Sequence, residues 1–461
     1  MNRSSAELGV LGVLTIRAAE LDSPEAIAEW LRAAGTAERS RQVSAMSKDK
    51  LAHFVSLLDS GTGPELLGSV DPDLAARMVQ SAGVGQSAWW LEALDPDQGA
   101  EVLRRVDNSI RESLLAQIAP ERAQALGELL RCPPRSVAAH ILPDVFVVTE
   151  TLTAAEAEST VRSQCAQVRA RARADAYIYV TDAAERLTGL LEFQDLVLAE
   201  PNQTVSELMS GDPVWVGPLV DAEQAAKVLL DHELTALPVL DDERRLLGVL
   251  TADIAADIIR REATADAQRQ GGSAPLEVPY LQASPARLWR KRIVWLLVLF
   301  VAEAYTGTVL RAFEDEMQTV IALAFFIPLL IGTGGNTGTQ ITTTLVRALA
   351  TGHARLRDLP KILSKELTTG LLVAATMAAA ALVRAWTLGV GAEVTVTVCL
   401  TVAAIVMWSS LVAAVLPPLL KKLRLDPAVV SAPMISTIVD GTGLIIYFVI
   451  AHLTLPQLAG L

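Results

Sequence analysis

Asp440 stands in the middle of an apolar run near the end of the chain, within Ile438-Val439-Asp440-Gly441-Thr442-Gly443. An ionisable group at membrane depth is costly, so it is paired, protonated or part of a pathway. No Lys or Arg lies in that run to neutralise it. Ser436, Thr437 and Thr442 add hydroxyl oxygens, and the flanking glycines leave backbone carbonyls accessible. The chemistry this permits is passage of a cation, against the plainer reading of a hydrogen-bonded structural Asp.

A second polar cluster precedes it, Gly332-Thr333-Gly334-Gly335-Asn336-Thr337-Gly338-Thr339-Gln340. Nine residues without a large apolar side chain face lipid poorly. They either pack closely on another helix or line a wet cavity. Asn336 and Gln340 lie at i and i+4, hence on one face if the segment is helical. Neutral oxygens beside one carboxylate suit a hydrated hard cation. Mg2+ dehydrates reluctantly and is held through one or two carboxylates and several waters. The apolar segments hold no Cys–His cluster of the kind a softer transition metal prefers. Glu303 has two readings, a partner for a neighbouring hydroxyl or an acid facing the pathway, while Arg347 snorkels.

These residues need membrane-length elements to carry them, each of roughly 20 apolar residues. The sequence predicts spans at 293–313, 319–350, 366–389, 394–420 and 429–455. The second is too long for one straight helix, and Pro328 with the glycines predicts a break or bend inside it. Basic residues cluster at Arg290-Lys291-Arg292, at Arg355, Arg357, Lys361 and Lys365, and at Lys421, Lys422 and Arg424. The other connections carry Arg311 with Glu314, Asp315 and Glu316, and Arg384 with Glu393. The positive-inside bias puts the basic loops in the cytosol. The N-terminus is then cytosolic and the C-terminus external. The apolar run Leu8–Ile16 is short, follows Glu7 and lacks a basic flank, so it does not read as a signal peptide.

Acids also mark the cytosolic half. Positions 47, 71, 95 and 119 open Ser47-Lys48-Asp49, Asp71-Pro72-Asp73, Asp95-Pro96-Asp97 and Ala119-Pro120-Glu121. Met46, Val70, Leu94 and Ile118 precede them, and Leu51, Ala75, Gly99 and Ala123 follow four residues on. Caps, first-turn prolines and a fixed period of 24 predict a solenoid of short helical hairpins. The acids complement the helix dipole; the sharper reading is that some of Asp71, Asp73, Asp95 and Asp97 bind cations at a domain interface.

A second repeat has a period of 59: Val180-Thr181-Asp182 returns as Val239-Leu240-Asp241, and Leu187-Thr188-Gly189-Leu190-Leu191 as Leu246-Leu247-Gly248-Val249-Leu250. Strand, Asp turn, Gly-containing strand and helix start (Asp195, Asp253) form a small α/β unit present twice. It resembles a pair of CBS domains; "ALPVLDDERRLLGVLTADI" fits well, and the first copy loosely, with the run Arg169, Arg171, Arg173. CBS pairs often bind adenosine nucleotides, and the resemblance makes Asp253 either a ribose ligand for ATP or a helix-start residue.

The bulk properties agree with a chain of this kind. Of 461 residues 51% are hydrophobic, and the net charge of −13 disfavours nucleic acid as a partner. Cys132, Cys165 and Cys399 stand far apart and form neither a disulfide framework nor a zinc site. No nucleophile–base set or phosphate loop indicates an enzyme.

Together, "FFIPLLIGTGGNTGTQ", "RALATG", "LDPAVVSAPMISTIVDGTGLIIY" and the stretch Arg261–Leu281 resemble the MgtE family of magnesium channels and transporters, over nearly the whole chain. The resemblance implies a homodimer in the membrane lipid with one pore between subunits, Asp440 as the pore acid, and closure by cytosolic Mg2+. It matches Glu262 and Asp266 to acids of the plug helix and Glu314 to the acid at the outer end of span one. Two departures stand out: Cys132–His140 carries Arg135 where an acid is common, and Ala265 replaces another acid.

The sequence thus predicts a mainly α membrane protein, with a cytosolic α-helical solenoid and tandem CBS (α/β) domains before five transmembrane helices. The expected divisions are an N domain at 1–132, CBS domains at 133–200 and 201–262, a plug helix at 263–290 and a pore domain at 291–461. The expected activity is Mg2+ passage across the cell membrane, gated by cytosolic Mg2+. The alternatives are another divalent cation (Mn2+, Co2+ or Ni2+) and a membrane-anchored nucleotide sensor. The metal-facing residues are Asp440, Asn336, Gln340, Ser436 and Thr437 in the pathway, and Asp71, Asp95, Glu262, Asp266 and Glu314 in sensing or gating.

Overall fold

The computed structural model describes residues 21–169, 177–276, 278, 280, 283–423 and 432–458. Leu8–Ile16, Arg171, Arg173, the side chain of Arg169, Arg424, Asp426 and Leu461 lie outside the described residues. Two compact units are present, Met1–Glu262 and Ala263–Leu461.

In the first unit the 24-residue period is built as predicted. Helices α1 (Pro24–Ala33) and α2 (Thr36–Ser44) lead into the pairs α3 (Lys48–Ser56) with α4 (Thr62–Ser69), α5 (Pro72–Ser81) with α6 (Val84–Ala93), and α7 (Pro96–Leu103) with α8 (Asn108–Leu115). The array ends on α9, Pro120–Arg131. Ser47, Asp71, Asp95 and Ala119 are the N-caps of α3, α5, α7 and α9. Ser47 accepts from Lys50 N at 3.4 Å and Asp71 from Asp73 N at 3.0 Å. The apolar residue before each cap is buried, and Leu51 and Ala75 at the fourth helical position are buried too, the spacing of a hydrophobic staple. One core runs from the solenoid into the second α/β repeat, taking in Ala225, Leu229, Leu237 and Ile258.

The 59-residue repeat gives two small sheets. Strands β1 (Val147–Thr149), β2 (Tyr177–Thr181), β3 (Leu187–Glu192) and β4 (Ser210–Gly211) lie in that order, the first pair parallel and the others antiparallel. Strands β5 (Ala236–Leu240) and β6 (Leu246–Thr251) pair antiparallel. Helices α10 (Ala154–Arg169), α11 (Phe193–Leu198) and α12 (Val205–Leu208) belong to the first copy. Helix α13 (Ala222–Asp231) and helix α14 (Ala252–Gln270) belong to the second. The register shifts at Val180/Thr181 and again at Val239/Leu240. In both copies an Asp holds the Arg four residues on, Asp182 with Arg186 and Asp241 with Arg245, each at 2.8 Å. Gly248 (φ +154) has a reason: a Cβ there would stand 2.6 Å from the Leu142 carbonyl oxygen.

The stretch expected as one plug helix is divided. Helix α14 ends at Gln270, where Gly272 (φ +72) takes a left-handed conformation, and the next helix opens at Pro285. Only glycine adopts that conformation without strain.

The second unit is helical throughout its named elements. Helix α15 is Pro285–Ala312, α16 is Glu314–Thr319, α17 is Ile327–Ala350, α18 is Leu359–Leu388, α19 is Ala392–Lys422 and α20 is Ala432–Thr454. Among the described residues, five of its segments are long and apolar enough to cross a membrane: 285–312, 321–350, 356–388, 392–422 and 432–454. The expected break inside span two is not at the glycines. It lies before them, where a 3-10 turn over Ile321–Phe325 precedes α17. Pro328 sits in the first turn of α17, where no intrahelical N–H is required. Gly334, Gly335 and Gly338 are helical and face neighbours, whereas Gly332 is exposed: a Cβ on Gly334 would stand 2.6 Å from Ile405 Cγ2 and 2.7 Å from Val439 Cγ1. Lys421 Nζ donates to the Leu349 carbonyl at 3.0 Å, closing the last turn of α17.

Candidate functional site

The site in the second unit is built where α17 meets α20. Gly335 is buried, and a Cβ on it would approach Ser436 Oγ at 2.9 Å and Asp440 Oδ1 at 3.6 Å. Asp440 itself is half-buried, and its Oδ1 is shut from solvent with no hydrogen-bond partner. Other helices come equally close around it. Gly441 admits Tyr305 and Thr306 of α15, and Gly443 lies against Ile405 of α19. A carboxylate oxygen with no donor among tightly packed helices is a group waiting for a proton or a cation.

The threonine hydroxyls on either side of it in α20 bond within their own helix. Thr437 donates to the Pro433 carbonyl at 3.0 Å and Thr442 to the Ile438 carbonyl at 2.7 Å. Thr437 keeps lone pairs free to accept, as a cation's water shell requires.

Asn336 and Gln340 share one face of α17, as expected, but that face is exposed, together with Thr343. The buried face bears Gly334, Gly335 and Gly338. The structure therefore brings Ser436 and Asp440 together with Gly335, and leaves the two amides on the open flank of the same helix. Glu303 and Glu314 are exposed, and Glu314 accepts from Gln318 at 3.2 Å. Sequence reasoning passed over Glu316, which is buried and faces His452 Nε2 at 3.4 Å.

In the first unit the acids divide into two groups. Asp71 is raised from its ordinary pKa by burial, in spite of its cap bond from Asp73. Arginines attend this group: Asp73 meets Arg105 at 3.4 Å, and Glu101 meets Arg105 at 2.9 Å and Arg261 at 3.2 Å. Burial alone would raise Glu101, but Arg105 and Arg261 hold it below the usual carboxylate range.

The other group is Asp95, Asp97 and Asp253. Asp97 Oδ1 is buried without a hydrogen-bond partner. Burial, then the charge of Asp95, then that of Asp253, push Asp97 up to about 7. Thr251 donates its hydroxyl to Asp253, which sits in the first turn of α14. Asp97 and Asp253 are distant in sequence, so only the folded chain reveals that the charge of one bears on the other.

On the linking helix, Asp266 pairs with Arg269 at 2.8 Å, and Glu262 has interactions of its own. The departure at Arg135 also has a local account. Its guanidinium faces Asp221 at 3.6 Å, while its carbonyl accepts from Ala222 N at 2.8 Å. The segment thereby fastens along the start of α13.

Comparison with known proteins bears on both parts. Residues 327–450 match the MgtE family, described as a divalent cation transporter; residues 34–135 match its intracellular N domain, and 205–260 match the CBS domain. The chain is 36% identical to the magnesium transporter MgtE of Thermus thermophilus over 77% of each chain. It is 29% identical to the magnesium transporter MgtE of Bacillus subtilis over 60% of each. Among solved structures, the cytosolic domain of the Mg2+ channel MgtE in complex with ATP is 26% identical. It covers 51% of this chain and 94% of its own, with a TM-score of 0.47. The chain is an integral membrane protein and belongs to the MgtE family of divalent cation transporters.

Proposed function

We propose that this chain moves Mg2+ across the cytoplasmic membrane as a homodimer, through a pathway lined by Asp440, and that cytosolic Mg2+ closes it. The observation that carries the reading is the buried, unpartnered Asp440 Oδ1 between α17 and α20. Choice of cation follows from oxygen donors without sulfur or imidazole beside Asp440, and from the magnesium transporters among the relatives.

The dimer is supported by the open flank of α17. Asn336, Gln340 and Thr343 would meet hydrocarbon if the chain stood alone, and polar groups at that depth face a partner or water. A second copy against this flank would enclose a path bordered by Asn336, Gln340, Ser436, Thr437 and Asp440. The basic loops orient the assembly with the N-terminus cytosolic and the C-terminus external.

For gating, Asp97 with the nearby charges of Asp95 and Asp253 is favoured over the Asp71 group, where arginines already supply positive charge; no three acids among the described residues stand close enough to form a ready-made metal site, so closure by Mg2+ would have to draw these acids together. Glu262 and Asp266 carry the same response along the linking helix, and Glu314 acts at the outer end. Asp253 accepts the Thr251 hydroxyl and adds its charge to that felt by Asp97, and its remaining lone pairs leave it able to accept from an ATP ribose as well. The working divisions are the N domain to 132, CBS domains to 200 and 262, a link to 290, and the pore domain beyond.

Mg2+ uptake by the purified full chain in liposomes tests the reading. Wild type should load Mg2+, and a folded Asp440→Ala protein should fall to the level of protein-free liposomes. Normal uptake in that variant would refute it.

A further inference from the structure

Helix α19 carries no ionisable group at the level of Asp440, yet three consecutive residues on it reach three different helices. Ser409 is fully buried and donates its hydroxyl to the Gly334 carbonyl of α17 at 2.7 Å. Trp408 donates its indole N–H to Thr442 Oγ1 of α20 at 2.8 Å. Ser410 packs on α18, where a Cβ on Gly370 would stand 2.7 Å from its Oγ. Successive helical residues are about 100° apart, so one turn of α19 addresses a different neighbour with each side chain.

The first two contacts fall within one helical turn of the proposed pathway residues, with Thr442 about 200° round α20 from Asp440. Gly334 precedes Gly335, the residue that faces Asp440, and Thr442 follows Asp440 by two positions. The notch that receives Ser409 exists because Gly338 has no side chain; a Cβ there would stand 2.8 Å from Ser409 Oγ. Thr442 is held at both ends of its hydroxyl, accepting from Trp408 and donating to Ile438. Its rotamer is therefore fixed, and with it the turn of α20 that bears Asp440. In lipid, such interhelical hydrogen bonds and small-residue contacts set helix spacing, because apolar side chains gain little by leaving hydrocarbon for a neighbour.

We propose that Trp408 and Ser409 are positioning residues for cation passage: a strut on α19 that fixes α17 and α20 relative to one another at Asp440, and so sets discrimination between divalent cations. Neither touches the ion. Their effect is exerted through the placement of the Asp440 carboxylate and the Gly335 backbone. A hydrated Mg2+ is discriminated from a larger, more readily dehydrated Ca2+ by cavity size and rigidity, which a loosened pair of helices would blur. This rests on the function proposed above.

The test is the ratio of Mg2+ to Ca2+ uptake by the full chain in liposomes, measured with Ser409→Ala, Trp408→Phe and Thr442→Val. Each should lower the ratio roughly three- to tenfold, the range expected for one interhelical hydrogen bond in a membrane. Trp408→Phe and Thr442→Val remove the same bond, so their double variant should be no worse than either single one. Thr442→Ser keeps the acceptor and should recover the ratio lost in Thr442→Val. If Ser409→Ala does not fold, Ser409→Cys fills the notch with a slightly larger group that is a poor donor and should show the same fall. A lower melting temperature with an unchanged ratio would mean ordinary packing and would overturn the strut. Wild type that takes up no Mg2+, or a fully active Asp440→Ala, would instead overturn the underlying function.

Discussion

A methyl group on Gly335 would stand 3.6 Å from Asp440 Oδ1 and 2.9 Å from Ser436 Oγ. The first is ordinary contact and the second is too close, so Gly335→Ala should displace Ser436 and crowd the carboxylate. Mg2+ uptake should fall sharply while the protein stays folded. One turn on, a Cβ on Gly338 would meet Ile435 Cγ2 at 2.5 Å and Ser409 Oγ at 2.8 Å. Gly338→Ala should therefore destabilise the membrane unit by about 1–3 kcal/mol through overpacking. Gly307, with nothing within 4 Å of an added Cβ, is the control and should tolerate Ala. Thermal unfolding in detergent would separate the three.

Asp97 gives a pH dependence with a definite sign. Its folded pKa is raised from 3.8 to about 7, so folding favours its protonated form. That contribution is complete below about pH 3.8 and is lost as pH rises through about 7. A divalent cation in the Asp95–Asp97–Asp253 group must displace this proton. Mg2+ should consequently raise the melting temperature of the full chain more at pH 8 than at pH 6, on either side of that midpoint. Asp97→Asn should level the two. Equal stabilisation at both pH values in wild type would exclude Asp97 from the site.

Cation binding between acids turns repulsion into attraction and should favour a compact cytosolic part. Millimolar Mg2+, roughly the weak end of all-oxygen divalent sites, should slow proteolysis of residues 21–280. Neutralising Asp95, Glu262 and Asp266 together should weaken this protection and leave uptake high when internal Mg2+ is high. A digestion pattern that responds to ATP and not to Mg2+ would reassign the CBS pair as the ligand site.

Topology is open to direct labelling. With the native cysteines replaced, Gln457→Cys should react with a membrane-impermeant reagent added outside intact cells. Labelling only after permeabilisation would reverse the orientation read from the basic loops.

Much of this architecture was legible because it rests on local chemistry. Ser47, Asp71, Asp95 and Ala119 stand at the N-caps of helices where a capping residue (Ser47), a following proline (Ala119) or both (Asp71, Asp95) predict them, since capping involves only neighbouring residues. The 59-residue repeat held to the detail of its bulges and Asp–Arg turns. What was misread depends on distant partners. Gly334, Gly335 and Gly338 suggested a bend, yet they are helical because Ile405, Ser436 and Ile435 press against them. The linking stretch was read as one helix although its stop is local, since Gly271-Gly272 follows the last helical residue and Gly272 takes the left-handed conformation. Trp408 and Ser409 are single polar residues in an apolar run and give no periodic signal. Asp97 was visible as a helix-start acid, but not as the neighbour of Asp253.

Lys421 has a consequence beyond closing a helix. Its ammonium sits on the Leu349 carbonyl at the negative end of the α17 dipole. The same group counts among the basic residues that orient the chain. Because opposite partial charges meet there, this Lys projects less of a positive field than a free one would. On the proposed orientation the same ammonium therefore serves twice, as part of the signal that sets the direction of insertion and as the cation that caps α17.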